Sequence, residues 1–559
     1  MSVEPAARPV AEPAVRAVDA ERATGRGVAV GIAVFASGAV LLGVEIAASR
    51  VLAPFFGSSL FVWGSLIGVV LTGLAIGYWA GGALADRVPI PGLLPGTMAL
   101  GAALVLAIPF VDDPVLEAVV RVDLGARSNP LIASILLFGP PSVVFAAVTP
   151  IAIRLRARSV ASAGATAGRL FALSTAGSIA GTFATAFFLV PELGTNQLLA
   201  LGAAALFAAA ALVALVERQL VGVGLAAVAA VAAVAASVSF AVDDGNTRLS
   251  GVAARNWSPV YRDRSFTEPR GDFGADGLKV VFSKDTRYHR LAVLDDFDIR
   301  YLRFESSLQS GMLRGRPFAT AFTYTDYFAL ALAYHPQAHD VLFVGLGGGS
   351  ALKRLWRDFP RLRLQAVELD PVVRDVAYRY FALPHDPRLR VDIQDGRRFL
   401  ADDARKWDVI ALDAYFADSI PFHLTTREFL ELVHSRLAPG GVVVANVIGS
   451  LRGPGSRLFR AFYRTYRSVF ATVVVHPVLE RGDRGLDQLR NQTVIASDVP
   501  APRKAFLAER WRRLRASSPR APDLRQAIAD RYDGVVRTSD VPLLTDDYAP
   551  TDALLLFDG

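Results

Sequence analysis

A short set of glycines and acids in the second half of the chain has the types and order needed to hold a nucleoside and to move a proton. Gly345, Gly347 and Gly349 follow the apolar run Val341–Val344, which reads as a buried parallel strand. Glycines there let the backbone turn tightly and bring a ligand close to the N-terminus of the helix expected over Ala351–Asp358. Glu368 stands 23 residues after Gly345, near the end of a second expected strand, Leu364–Leu369, where an acid takes the two hydroxyls of a ribose. Asp395, with Gly396 behind it, follows a third expected strand (Leu389–Ile393), and Asp413 a fourth (Trp407–Leu412). Ligands of doubly wound sheets bind beyond the carboxyl ends of the strands. Three acids at three such ends are hard to explain as solvated surface, although any single one could be.

The elements that must position these residues follow the rhythm of an open α/β sheet. Pro371–Phe381 reads as a helix, with proline tolerated in its first turn. Thr425–Leu437 reads as another, with Thr425 and Glu428 spaced for a capping box. Pro439-Gly440-Gly441 turns the chain into a fifth strand, Val442–Val447, and a helix beyond Ser456 with strands at Ala471–Pro477 and Gln492–Ala496 completes the sheet. Ahead of it, Leu278–Phe282, Tyr288–Leu294 and Ile299–Phe304 read as a small antiparallel sheet, and a helix runs from Tyr324 to about Tyr334. Lys504–Arg515 reads as a basic helix with a solvated face. The string Leu543–Pro550 is distinctive but suggests no chemistry.

The first half of the 559-residue chain has another character. Hydrophobic residues make up 52% of the whole, and nearly all the long apolar runs lie before residue 241. Segments at about 28–49, 61–85, 93–111, 130–153, 169–190, 196–216 and 219–241 each approach the ~20 residues needed to span a bilayer. Gly64, Gly68, Gly73, Gly77 and Gly81, and later Gly177 and Gly181, are spaced for close helix packing, which makes this a bundle. The expected fold is therefore an α-helical transmembrane bundle followed by an α/β Rossmann-like domain of the class I methyltransferase type with a small N-terminal β-sheet. Its expected divisions are a disordered tail (1–26), a multispan domain (27–241), a linker (242–277), a β-rich subdomain (278–323), the nucleoside domain (324–500) and a C-terminal extension (501–559).

Charge orients the bundle. A loop at Gly82–Arg87, similar to the signature loop of major facilitator transporters, and a basic loop with Arg154, Arg156, Arg158 and Arg169 are expected in the cytoplasm. A loop at 112–127 with Asp112, Asp113, Glu117 and Asp123 is expected outside. Seven crossings from a cytoplasmic N-terminus would leave residue 242 onward outside, where no nucleoside ligand is expected. Either one segment does not cross, or a crossing is hidden, or the orientation is inverted. Glu45, with Arg50 near it, is an intramembrane acid that serves either function or packing.

Other chemistries fit poorly. The chain has no cysteine, which excludes disulfides, thiolate catalysis and Cys-ligated zinc. His335 and His339 are split by Pro336, so no metal is expected, and Ser350 has no evident base. The net charge of +7 suits membrane topology and lipid headgroups, and no nucleic-acid motif is present. His423 reads first as a loop histidine packing a lid.

From about Arg287 to Ser497 the chain resembles the spermidine synthase family of aminopropyltransferases, in the membrane-fused bacterial form with a multispan N-terminal domain. The strings GLGGGS, VELDP, QDGRRFL and LDAY…IP.HLTT.EF carry the resemblance. It implies that Gly345, Gly347, Gly349 and Gly396 hold the donor's nucleoside, that Glu368 bonds the ribose and that Asp395 bonds the adenine amino group. It makes Asp413 the catalytic residue acting on the acceptor amine, with Tyr288, His289, Gln309 and Tyr324 on the acceptor side. An amine of pKa ~10 is mostly protonated at neutral pH and must lose a proton before it attacks. The implied donor is decarboxylated S-adenosylmethionine, the acceptor putrescine or another polyamine, and the location the cell membrane with a cytoplasmic catalytic domain; lipid and a second copy of the chain are the further expected partners.

Three departures weaken the match to that donor. The family's glycine loop carries an aspartate for the aminopropyl ammonium, where this chain has Gly348. A second aspartate is replaced by Phe416, and an acidic pair ahead of the acceptor tyrosine is missing, with Asp418 the one acid available to substitute. S-adenosylmethionine itself and methyl transfer remain open on the same scaffold. So does a transporter whose soluble domain senses a nucleoside or polyamine.

Overall fold

A computed structural model describes residues 12–56, 60–88, 92–122, 124–125, 127–157, 160–190, 193–243, 278–288, 290–305, 307–415, 421–479, 485–551 and 554. His289, Asp418, the start of the expected tail and most of the expected linker lie outside the described residues. The chain divides into two compact units, one helical and one α/β.

Among the described residues, seven helices are long and apolar enough to cross a membrane. They are α1 (Glu12–Phe56), α2 (Leu60–Arg87), α3 (Leu93–Val122), α4 (Ser128–Arg156), α5 (Val160–Ala184, extended by a π-helical turn at Thr185–Leu189), α6 (Thr195–Val216) and α7 (Leu220–Asp243). Trp79, Phe188, Leu220 and Val221 stand exposed on their outer faces, an apolar surface that water would not leave bare. Inside, a Cβ on Gly77 would collide with the Val143 carbonyl, and one on Gly181 with the Ala39 carbonyl. The pairs α2–α4 and α1–α5 therefore meet backbone to backbone. Gly64 and Gly68, expected to share that role, face open space.

Polar contacts gather one set of helix ends. Arg26 pairs with Glu217 at 3.3 Å, the Gly92 amide donates to the same carboxylate, and Arg154 pairs with Asp86 at 3.2 Å. The start of the apolar part of α1 near Arg26, the α2–α3 link, the end of α4 and the α6–α7 turn thus share an end. Only Glu217–Gln219 separates α6 from α7, and Phe240 meets Phe110 well along α3, so α7 finishes at the opposite end from Arg26.

Several expectations need correcting. Helix α1 begins at Glu12, inside the supposed disordered tail, because Ala, Glu and Arg there are good helix formers. Gly82–Arg87 is the last stretch of α2 rather than a loop, and Arg169 lies on α5. Asp112, Asp113 and Glu117 lie on α3, which continues through Pro109 and Pro114.

The second unit starts with an antiparallel sheet of β1 (Leu278–Asp285), β2 (Arg290–Asp296), β3 (Ile299–Phe304) and β4 (Ser307–Leu313), in that order. Strand β4 was not expected, since its serines, glutamine and glycine have weak strand preference. The large sheet has the order β10-β11-β9-β8-β5-β6-β7. Its strands are β5 (Asp340–Val344), β6 (Arg363–Glu368), β7 (Leu389–Ile393), β8 (Trp407–Leu412), β9 (Leu437–Gly449), β10 (Thr472–Pro477) and β11 (Arg490–Ser497). Strands β5 to β9 pair in parallel, and β11 and β10 join antiparallel. Both faces are buried, Val341 and Phe343 on one side and Leu342 and Val344 on the other, which explains the unbroken apolar runs.

The helices of this unit are α8 (Ser350–Asp358), α9 (Pro371–Tyr380), α10 (Gly396–Asp402), α11 (Arg427–Ser435), α12 (Arg457–Val469), α13 (Lys504–Ser517) and α14 (Arg525–Ala529). The helix expected from Tyr324 is broken into Tyr324–Tyr327, a 3-10 turn at Phe328–Leu330, and Ala331–Tyr334. Helix α13 is less solvated than expected, because Leu507 and Trp511, four apart, are fully buried. Helix α11 starts two residues late: Phe422–Leu424 takes a 3-10 turn, and Thr426 rather than Thr425 caps the helix by accepting from the Phe429 amide at 3.3 Å.

Val at Gly77 or Gly181 should destabilise the detergent-solubilised chain by roughly 1–3 kcal/mol through overpacking. Val at Gly64 should be close to neutral. Thermal unfolding checks this, and equal effects at all three positions would contradict the packing described.

Candidate functional site

Strand order reverses between β5 and β8, since the chain builds outward to β6 and β7 before returning to β8. A crevice opens beyond the carboxyl ends at such a point. Gly345 follows β5, Asp413 follows β8, and both line the cavity there. A Cβ on Gly345 would strike the Asp413 carbonyl, and Gly345 holds φ at +98°, so only glycine fits. The ladder continues into the loops: the Asp413 amide donates to the Val344 carbonyl at 3.0 Å, and the Gly345 amide to Val367 at 2.9 Å.

The glycine loop is held from above by β4. The Ser310 hydroxyl accepts from the Gly348 amide at 2.8 Å, and Gln309 beside it lines the cavity. Gly347 is on the cavity wall; Gly349 is not, and instead caps α8 in the left-handed region against Leu383. At Gly348 a Cβ would press on the Phe381 ring and the Ser310 Cβ at 2.9–3.0 Å. An aspartate there would require the loop to shift.

Each acid has its own environment. Glu368 is buried and accepts from the Leu346 amide at 3.2 Å and the Asp370 amide at 3.0 Å. These bonds fix the carboxylate on the glycine loop and leave lone pairs for a ligand's hydroxyls. Burial pushes its pKa up to about 7, against the pull of those amides. Asp413 receives one hydrogen bond, from Asn446 Nδ2 on β9 at 3.1 Å, and burial pushes it up to about 7 as well. Asp395 goes the other way. Its hydrogen bond with His423 Nε2 at 3.0 Å, helped by the Arg398 amide at 2.9 Å, holds it below the usual carboxylate range despite partial burial.

The structure gathers Gly345, Gly347, Glu368, Asp395, Gly396, Asp413, Gln309 and Tyr324 around this cavity. Tyr288 does not line it. Sequence reasoning missed Asn446 and Tyr415, whose hydroxyl donates to the Asn446 carbonyl and accepts from the Ile448 amide, both at 3.1 Å. The signal was available, because Asn446 is a lone polar residue in the apolar run Val442–Ile448. His423, read as lid packing, stands on the cavity wall against Asp395.

Residues 322–451 match the family model described as the spermine/spermidine synthase domain. A polyamine aminopropyltransferase of Vibrio vulnificus is 29% identical over 49% of this chain and 91% of its own length. An eEF1A lysine and N-terminal methyltransferase of Danio rerio is 30% identical over 34% of this chain and 28% of its own. Among solved structures, a probable spermidine synthase from Corynebacterium glutamicum covers 47% of this chain and 98% of its own, at 21% identity and a TM-score of 0.36.

A carboxyl whose pKa rises on folding keeps a proton that the unfolded chain has released, so it withdraws stability as pH climbs from about 4 to about 7. Asp413→Asn should therefore raise the thermal midpoint at pH 8, with the gap to wild type narrowing as pH falls toward 4. Unfolding scans across that range test it, and a less stable variant at pH 8 would contradict the assigned burial.

Proposed function

We propose that this chain, which carries a spermine/spermidine synthase domain, is a transferase that moves an aminopropyl group from decarboxylated S-adenosylmethionine to an amine of a polyamine. The observation that carries the reading is the buried carboxyl of Asp413, set in the same cleft as Glu368 and the glycine loop. Glu368 and the loop suit a ribose at that spot, which puts a sulfonium attached to the ribose toward β8. An amine entering as ammonium is drawn to the Asp413 carboxylate and gives up a proton. Its nitrogen lone pair then attacks the carbon next to sulfur, and the carbon–sulfur pair returns to sulfur as a neutral thioether. A base with pKa near the working pH is well matched to this step. Asn446 keeps the carboxyl aimed by donating to it from β9, and the Tyr415 hydroxyl fastens the segment after Asp413 to the same strand.

Methyl transfer from intact S-adenosylmethionine is the second reading, favoured by one feature. Gly348 stands where an acid would hold the donor's ammonium, and Phe381 and Ser310 occupy the space such a side chain needs. The attack and the proton removal by Asp413 are the same in both.

Mass spectrometry of the nucleoside product decides between them. Methylthioadenosine from the decarboxylated donor with a polyamine is the expected outcome; S-adenosylhomocysteine from the intact donor would replace it with the second reading. Asp413→Asn should lower turnover by about 10²–10⁴-fold while sparing nucleoside binding, and undiminished turnover would remove Asp413 from its role.

The donor is a cytoplasmic metabolite, so the reading requires the α/β unit on that side. Arg26, Arg87, Arg154, Arg156 and Arg218 cluster toward one end of the bundle, which the positive-inside rule places in the cytoplasm. Seven full crossings would then deliver Asp243 outside. The absence of native cysteine permits single substitutions at Arg87, Leu124 and Val535 to be labelled in intact cells with an impermeant maleimide. Labelling at Leu124 and not at Arg87 follows from the charge pattern, and the proposed function requires Val535 to stay protected although seven full crossings would expose it. Labelling at Val535 would separate the α/β unit from its proposed donor.

A further inference from the structure

The string Leu543–Pro550, without evident chemistry in the sequence, stands behind one wall of the cleft and reaches it through Arg397 and His423. Asp546 receives both ends of the Arg397 guanidinium, at 2.7 and 2.6 Å, and the Thr426 hydroxyl at 2.7 Å. The same guanidinium donates to the His423 carbonyl at 3.1 Å. The strap is fixed on either side of Asp546. The Asp546 amide donates to Glu428 at 3.0 Å, the Leu544 carbonyl accepts from Arg427 at 2.9 Å, and the Leu544 side chain is fully buried beside Phe429. Thr545 and Tyr548 exchange backbone hydrogen bonds at 3.0 Å, which makes the segment a closed turn.

His423 is the cleft end of this chain of contacts. Its ring meets Asp395, and Pro421 and Leu424 beside it line the cavity. Among the described residues, the backbone hydrogen bonds of the 3-10 turn Phe422–Leu424 stay local, running back to Pro421 and Phe422, and do not tie it to the sheet. A bidentate pair has the directional rigidity to do so. The pair is half-exposed, so its worth lies in geometry more than in stability.

We propose that Asp546 is a positioning residue of the nucleoside site: through Arg397 it fixes the turn that carries His423, so that the imidazole meets Asp395 and completes the cleft wall. The ligand class, an adenosyl nucleoside, rests on the function proposed above; the mechanical link from Asp546 to His423 does not.

Two measurements on the full-length protein in detergent separate these. The first is hydrogen exchange without ligand. In Asp546→Asn, amides of 421–430 should exchange at least tenfold faster, while those of 341–352 in β5 and its loop stay unchanged. The second is binding of S-adenosylhomocysteine and methylthioadenosine. Asp546→Asn and His423→Ala should each weaken it about tenfold, and the double variant should lose no more than either alone, because both break one path. Arg397→Lys keeps the charge but cannot span both acceptors, so it should reproduce the effects of Asp546→Asn and stands in for that variant where the latter folds poorly. Unchanged exchange at 421–430 in both variants, or additive losses in the double variant, would overturn the proposal. Failure of the wild-type protein to bind either nucleoside, with the exchange effect present, would overturn the nucleoside reading and leave the positioning link standing.

Discussion

The α/β unit depends on one close approach, the backbone of Gly345 against the backbone of Asp413. Two neighbouring parallel strands end at the same level, and the loops that leave them are pressed together with no room for a side chain on the glycine. The loop that would hold a ligand and the carboxylate that would act on its partner are therefore parts of one rigid corner. Small displacements between a bound reactant and a catalytic group are costly in rate. Here no hinge separates them. Ser310 from the small sheet and Asn446 from β9 brace the corner from opposite sides.

The same corner is a place of electrostatic tension. Glu368 and Asp413 are both raised by burial, while Asp395, at the third strand end, is lowered by its histidine. Neighbouring carboxylates with divergent environments can take divergent roles. A cationic reactant entering the cleft would relieve the buried acids, so the cleft is arranged to favour positive charge. The extensive apolar packing on both faces of the sheet holds the acids in place despite their desolvation.

Much of this arrangement was legible because it rests on local signals. The strand ends at Val344, Glu368 and Leu412 follow from apolar runs that stop at glycine or acid, and a doubly wound topology then brings them to one crevice. What was hidden depends on contacts distant in sequence. Strand β4 looks too polar to be a strand until the glycine loop supplies Ser310 with a partner. Thr425 had the right spacing for a cap, yet the 3-10 turn before it passed that role to Thr426, and Glu428 was left to accept from Asp546 instead. In the bundle, spacing marked Gly64 and Gly77 as equals, but which face of α2 meets α4 is decided by neighbours that no pattern within α2 reveals.

The bond between Arg397 and Asp546 joins residues 149 apart in the chain. Synthesis runs from the amino end, so the bundle, the small sheet and all seven strands of the large sheet exist before Asp546 does. The cleft wall thus cannot be secured until all of the large sheet has been made, however early that sheet collapses. The apolar helices precede the α/β unit in the chain, and the wall behind His423 is closed only after every strand of the large sheet has been made. A reactant meeting a chain not yet made as far as Asp546 would meet a cleft whose wall is still unsecured.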